Sequence, residues 1–342
     1  MALSFVSVYA AQPREIQYAH ALSRAISRNP SIPPLDRDAR QANARARDLW
    51  YEYVNLANSD DEQAGVVYGQ RLMAIAESNR AQRERERLVL SAELSLRRHL
   101  SNISGFESDL TMLENSISLQ ERMLEQTELR HYHGMASEMD LRDAQHALEQ
   151  SNLNLDMLRL NLENERYQLN RLIHQPITAN IQVIYDVHDI EPIPQDAGTE
   201  RFMRFQVERD HNLQRWLDEV SIRHHEWQRQ LDDPEVDNRY MRLQHQLAVL
   251  ERNLARQQAE LSIRNALAEW DRLIEQEAAL YAEVAQARAD YENMLNRFEA
   301  GMVTQIQVDQ LGLALAQAEA RLVRHAYAFW IARLRVEHPY MR

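Results

Sequence analysis

The sequence contains no cysteine and no lysine, and only seven glycines among 342 residues. Without thiols there is no disulfide scaffold, no Cys-ligated zinc, no iron–sulfur cluster and no thiol catalysis. Average usage would put glycine at about 7%, and the shortfall disfavours doubly wound and all-β folds, which need glycine at their turns. No run of about 20 apolar residues occurs, so the sequence carries no transmembrane helix. Positive charge is in deficit. The 52 acidic side chains outnumber 39 basic ones, all arginine, for a net charge of -13. That argues against nucleic acid as a partner, because phosphate neutralisation needs a basic face. The absence of lysine has no physical explanation that bears on function. The length allows one large domain or two ordinary ones.

Proline is scarce too, and it is segregated. The nine prolines leave two long stretches free, 35–175 and 235–338. A proline inside a helix costs about 3 kcal/mol, so these stretches can hold very long helices. Each is broken near its middle, at His131-Tyr132-His133-Gly134-Met135-Ala136-Ser137 and at Glu299-Ala300-Gly301-Met302-Val303-Thr304. Gly134 and Gly301 suit the left-handed position that ends a helix. Ser137 and Thr304 suit the N-cap of the next one. Each stretch therefore reads as a helical hairpin.

What the long stretches hold is a heptad-like pattern. Leu141, Ala144, Leu148, Ser151, Leu155, Leu158 and Leu162 step by three and four, as do Val308, Leu311, Leu315, Ala318, Leu322, His325, Phe329, Ala332 and Val336. Tyr240, Leu243, Leu247, Leu250 and Leu254 start a third run, continued in a shifted frame by Ile263, Leu267, Trp270 and Ile274 and closed by Tyr291, Leu295 and Phe298. A sustained 3.5-residue repeat means coiled-coil packing. A helix from Arg80 to Tyr132 would span roughly 80 Å at 1.5 Å per residue, so it must pair along its length, within the chain or between chains. A plain coiled-coil rod would satisfy the period alone.

The two hairpins align at a constant offset of 167 residues: Gly134 with Gly301, Ser137 with Thr304, Leu141 with Val308, Leu148 with Leu315, Leu155 with Leu322. A weaker match relates 27–32 to 209–214 at an offset of 182. The expected class is all-α, with long antiparallel hairpins in two pseudo-repeats, 1–175 and 201–342. A linker at 176–200 separates them and holds Pro176, Pro192, Pro194 and Gly198, with a possible short strand from Ile181 to Val187. Duplication of a hairpin points to a pseudo-symmetric assembly.

These residues resemble the TolC-type outer-membrane efflux proteins over nearly the whole chain. The family's Ala-Leu-x-x-Asn-Pro-x-Leu segment reads here Ala25-Ile26-Ser27-Arg28-Asn29-Pro30-Ser31-Ile32. Its hairpin signature reads Gly134, Ser137, Asp140, Leu141, Ala144, Gln145, Leu148 in the first copy. In the second it reads Arg297, Phe298, Gly301, Thr304, Val308, Leu311, Leu315, Ala318. Tyr68-Gly69-Gln70-Arg71-Leu72 and Arg80 to Arg87 look like the family's second strand and the basic start of its next helix. The resemblance implies a homotrimer whose helices form a hollow twelve-helix barrel. It implies solute export together with a periplasmic adaptor protein and an inner-membrane pump, an outer-membrane or periplasmic location, no cofactor and no enzyme activity.

The sequence departs from the family in its connectors. A membrane strand needs about 9–11 residues of alternating character. Trp50 to Asn58 and Val66 to Ala76 could supply two, whereas Trp227 to Tyr240 reads as a polar turn. The expected protomer therefore has a reduced or absent β-barrel. A degenerate homologue and an engineered soluble form, a helical scaffold without transport, both fit. Residues 2–11 resemble the end of a signal peptide without its basic n-region.

By resemblance the adaptor docks on the tips, at His133, Gly134, Met135 and Ser137 and at Ala300, Gly301, Met302 and Thr304. The family's gate acids fall on Gln307 and Gln310 after the second tip, while the first tip retains Asp140 and Asp143. Under threefold symmetry each inward carboxylate would become a ring of three. Asp140 and Asp143 also read simply as first-turn acids that favour a helix N-terminus. The histidines lack metal-ligand spacing: His131 and His133 fall on different helix faces, and no His pair at i, i+4 occurs.

Overall fold

The structure, a computed structural model, describes residues 14–59, 63–185, 199–231 and 238–339. Among these, strand β1 (Arg14–Gln17) leads into helices α1 (Tyr18–Ser27), α2 (Ile32–Asn58), α3 (Gln63–Tyr132) and α4 (Glu138–Leu172). Strand β2 (Ile181–Ile184) follows, then α5 (Thr199–Arg209), α6 (His211–Leu231), α7 (Arg239–Glu299) and α8 (Gln305–Glu337). Each half of the chain thus runs through four helices in the same order of short, medium, very long and long. The signal-like residues 2–11 lie outside the described residues.

The two copies share junction chemistry as well as order. Asn29 Oδ1 accepts from the Ser31 N–H at 3.0 Å between α1 and α2. Asp210 Oδ1 accepts from Asn212 N at 3.0 Å and Leu213 N at 2.9 Å between α5 and α6. These equivalences fall at an offset of 181, one residue from the sequence alignment. Helix α6 has 21 residues against 27 in α2, and α7 has 61 against 70 in α3. The shortening of the second half falls mainly on these two helices.

That corrects the reading of the connectors. Trp50–Asn58 is the end of α2, Val66–Ala76 lies within α3, Tyr68–Leu72 is helical, and α6 carries through Trp227 to Leu231. The helical period prevails because Ala42, Ala46, Leu49, Tyr53 and Leu56 recur every three or four residues. Ala46 and Leu49 pack on Val67 and Ala74, with Tyr53, Leu56 and Ile75 at the margin. Alternation over nine residues was also present, but it would have exposed this face.

The chain forms two compact units. One takes in Ala25–Leu94, Glu191–Trp270 and Ala332–Arg342. Small residues here allow close helix contact. The buried Ser78 donates to the Ala39 carbonyl at 3.2 Å. His225 Nε2 meets the Gly65 carbonyl at 2.8 Å, and a methyl group at Gly69 would lie 3.2 Å from the His225 ring. Ala255, Ala259 and Ile263 of α7 form a core with Val207 and Leu213.

The other unit takes in the chain up to Arg24, Ser95–Ile190 and Asp271–Ile331. Its ion pairs give the order of its helices. Glu107–Arg166 and Glu114–Arg159, at 2.9 and 3.0 Å, join α3 to α4. Arg122–Asp309 and Asp109–Arg324 join α3 to α8. Arg288–Glu319 and Arg321–Glu283 join α8 to α7. The row is α4, α3, α8, α7. Most of these pairs are half-exposed and each contributes little, about 0–1 kcal/mol, but their pattern defines neighbours.

Beside the row, β1 and β2 pair in parallel, with Arg14 opposite Ile181 and Ile16 opposite Val183. The expected strand is present as Ile181–Ile184; its extension past Tyr185 lies outside the described residues. Ile16 and Val183 join Leu96, Leu100, Leu169, Ile173, Tyr327 and Trp330 in a core. Arg97 fastens this core by donating to Tyr18 Oη at 3.2 Å and to the Trp330 carbonyl at 2.6 Å.

Candidate functional site at the helix tips

The two tips have the same backbone. Gly134 and Gly301 both have φ of +72°, the left-handed conformation expected for them. Gly134 N donates to the His131 carbonyl and Met135 N to the Arg130 carbonyl, at 2.9 and 2.7 Å. Gly301 N donates to Phe298 and Met302 N to Arg297, at 2.8 and 2.9 Å. This is a Schellman motif in duplicate, and every partner is displaced by the predicted 167 residues. A third closes α4, with His174 in the left-handed position at φ +52° and Gln175 N donating to the Asn170 carbonyl.

Ser137 caps α4. Its hydroxyl accepts from Asp140 N at 3.1 Å, and its own N–H donates to Asp140 Oδ2 at 2.8 Å. Thr304 N likewise donates to Gln307 Oε1 at 2.9 Å. Asp140 and Gln307 therefore serve as paired elements of two N-terminal caps. The Ser137 N–H, then the Ser137 hydroxyl, holds the Asp140 carboxyl below its ordinary value. Asp143 and Gln310 are exposed on the second turns of α4 and α8, so of the two acids expected in the first turn only Asp140 lies there. The structure leaves His133, Met135, Ala300 and Met302 outward, with Met135 64% and Met302 71% exposed. One exposed methionine thus stands at the equivalent position of each tip.

Sequence reasoning missed Arg122 and Asp309, whose ion pair links α3 to α8 near the tips. Asp309 also accepts from Gln305 at 2.8 Å. Asp309 lies between Gln307 and Gln310, but a 187-residue separation from Arg122 leaves no local signal. Among the described residues, no cluster of three or more His, Asp or Glu side chains could hold a metal.

Helix α4 ends the row in its unit, and its outer face is apolar. Leu153, Met157 and Leu160 project from α4, away from the inward face of Ser151, Leu155 and Leu162. In the other unit, Tyr240, Leu243, Leu247, Leu250, Leu254 and Leu261 of α7 are exposed, while Ala248, Ala255, Ala259, Ile263 and Trp270 are buried. The first stretch of the third heptad run thus faces outward, and its shifted continuation turns inward with the alanines.

Solved structures share this architecture. VceC, an outer membrane protein of Vibrio cholerae, matches over 94% of this chain and 95% of its own at a TM-score of 0.61 and 14% identity. The CmeC outer membrane channel of Campylobacter jejuni matches over 94% and 85% at 0.63 and 11%. A membrane protein of Pseudomonas aeruginosa matches over 94% and 93% at 0.65 and 13%. The fold is that of the TolC-type outer-membrane channels. No family model and no curated protein matches in sequence. The TolC-like protomer has, among the described residues, only β1 and β2 as strands and no helix long and apolar enough to cross a membrane.

Proposed function

We propose that the protein is an export-conduit subunit: copies associate side by side, as a homotrimer, into a hollow helical tunnel. The outward heptad stripe of α7 carries this reading. Burying one leucine contributes about 1.5–3 kcal/mol, so a row of exposed leucines at 3.5-residue spacing is surface suited to another helix. The α4 flank supplies a second, different surface. Two different surfaces on one protomer generate a ring when the rotation closes.

In this reading solutes pass through the lumen, an inner-membrane pump supplies the drive, and a periplasmic adaptor docks on the tips around Gly134 and Gly301. Asp140, Asp143, Gln307 and Gln310 line the constriction near the tips. The location is the outer membrane and periplasm. Mass photometry across nanomolar to micromolar concentrations tests assembly; trimers that dissociate on dilution are expected. A strict monomer at all concentrations, unchanged by an adaptor, would end the proposal.

A second reading is a helical scaffold that conducts nothing. The helical character of Trp50–Asn58 and Val66–Ala76 favours it, since these segments would otherwise supply membrane strands. The two readings part in single-channel recordings, where a conduit gives discrete conductance steps and a scaffold gives none.

A further inference from the structure

The small sheet is unfinished on one side. In a parallel pair, alternate residues turn both backbone groups toward the partner strand. Arg14 N donates to the Asn180 carbonyl at 2.9 Å. With Arg14 opposite Ile181 and Ile16 opposite Val183, Gln182 then faces β1. Ile181 and Val183 turn their N–H and C=O groups to the opposite edge, where they have no hydrogen-bond partner among the described residues. That edge borders a cleft of about 650 Å³ lined by Leu100, Ile103, Glu107, Arg166 and Tyr327 together with β2 itself. Val183 is buried, and backbone groups at a buried residue are nearly always paired in native proteins.

Among the described residues, β1 is also open on its far side, through Glu15 and Gln17, and Arg14 and Glu15 are exposed with no ion-pair partner. Glu107, at the rim of the cleft, is half-exposed and paired with Arg166 at 2.9 Å. The sheet thus has two unlike open edges on one protomer, the geometry of head-to-tail addition.

We propose that the β2 edge, at Ile181 and Val183, is completed by β1 of a second copy of this chain. The inference rests on the side-by-side assembly above and adds a backbone contact to it. Strand addition supplies main-chain hydrogen bonds and fixes register, which apolar helix flanks alone do not. Arg14 of the incoming strand adds a second cation to Glu107, which Arg166 of the receiving cleft already pairs with.

Residue-resolved amide hydrogen exchange on the intact protein, above and below the dissociation concentration, tests this. The amides of Ile181 and Val183 are expected to exchange at least tenfold more slowly in the assembly than in the monomer. The Ile181→Pro variant removes a donor that β1 does not use, so it is expected to keep the monomer's far-UV circular dichroism and raise the dissociation constant at least tenfold. Arg14→Glu is expected to weaken association in the same direction. Assembly with unchanged exchange at Ile181 and Val183 overturns the strand addition and leaves the helical assembly standing. A wild-type dissociation constant in a folded Ile181→Pro variant does the same. Protection already present in a monomer that never associates overturns both. If Ile181→Pro does not fold, the exchange comparison on the unsubstituted chain decides alone.

Discussion

Individual residues at the helix ends govern the sharpest features of this chain. Gly134 and Gly301 hold φ of +72°, which costs a residue with a Cβ roughly 1–2 kcal/mol. Gly134→Ala and Gly301→Ala should each lower stability by about 1 kcal/mol in urea denaturation. His174→Gly, at φ +52°, should raise it by up to about 1 kcal/mol, because the same strain is removed. Buried and half-buried histidines set the pH response. Burial holds His325, His338 and His211 below the ordinary imidazole value, against the opposing pull of Glu277, Glu337 and Glu86 respectively. The unfolded chain then binds more protons than the native one below about pH 6.5. Stability is present above that value and is lost as pH falls toward the lower native values. Thermal melts between pH 8 and 5 should show a falling Tm, and His325→Leu should flatten part of the decline.

The helices separate what was legible in the sequence from what was not. Both tips, both caps and the inward faces of α4 and α8 follow from glycine, hydroxyl and heptad positions, because each is a local rule acting within about ten residues. The strand reading of Trp50–Asn58 failed because a short segment with tyrosine and valine satisfies both periods, and the deciding contact, Val67 and Ala74 across the turn, is tertiary. The direction of the α7 leucines also escaped the sequence. A leucine stripe and an alanine stripe on one helix both suit a partner, and close packing inside the chain selected alanine. This yields a contrast that a mutation pair can measure. Leu250→Glu should leave monomer stability within about 0.5 kcal/mol, as for surface sites, while weakening self-association at least tenfold. Ile263→Ala, in the buried seam, should cost about 2–4 kcal/mol whatever the concentration.

At the scale of the whole molecule, a duplicated four-helix path builds two compact units, and the fold is TolC-like. The site was less legible than the fold. Gly134 and Gly301 end their helices as local rules dictate, Asp140 and Gln307 take part in the caps, and the Arg122–Asp309 bridge emerged only from three-dimensional proximity. In the proposed assembly the exposed seams close a ring of three copies around a lumen. Single-particle electron microscopy of the purified protein at micromolar concentration distinguishes this ring from its alternatives. Threefold class averages with an open centre are expected, and isolated protomers or a filled bundle with no central opening would rule the ring out.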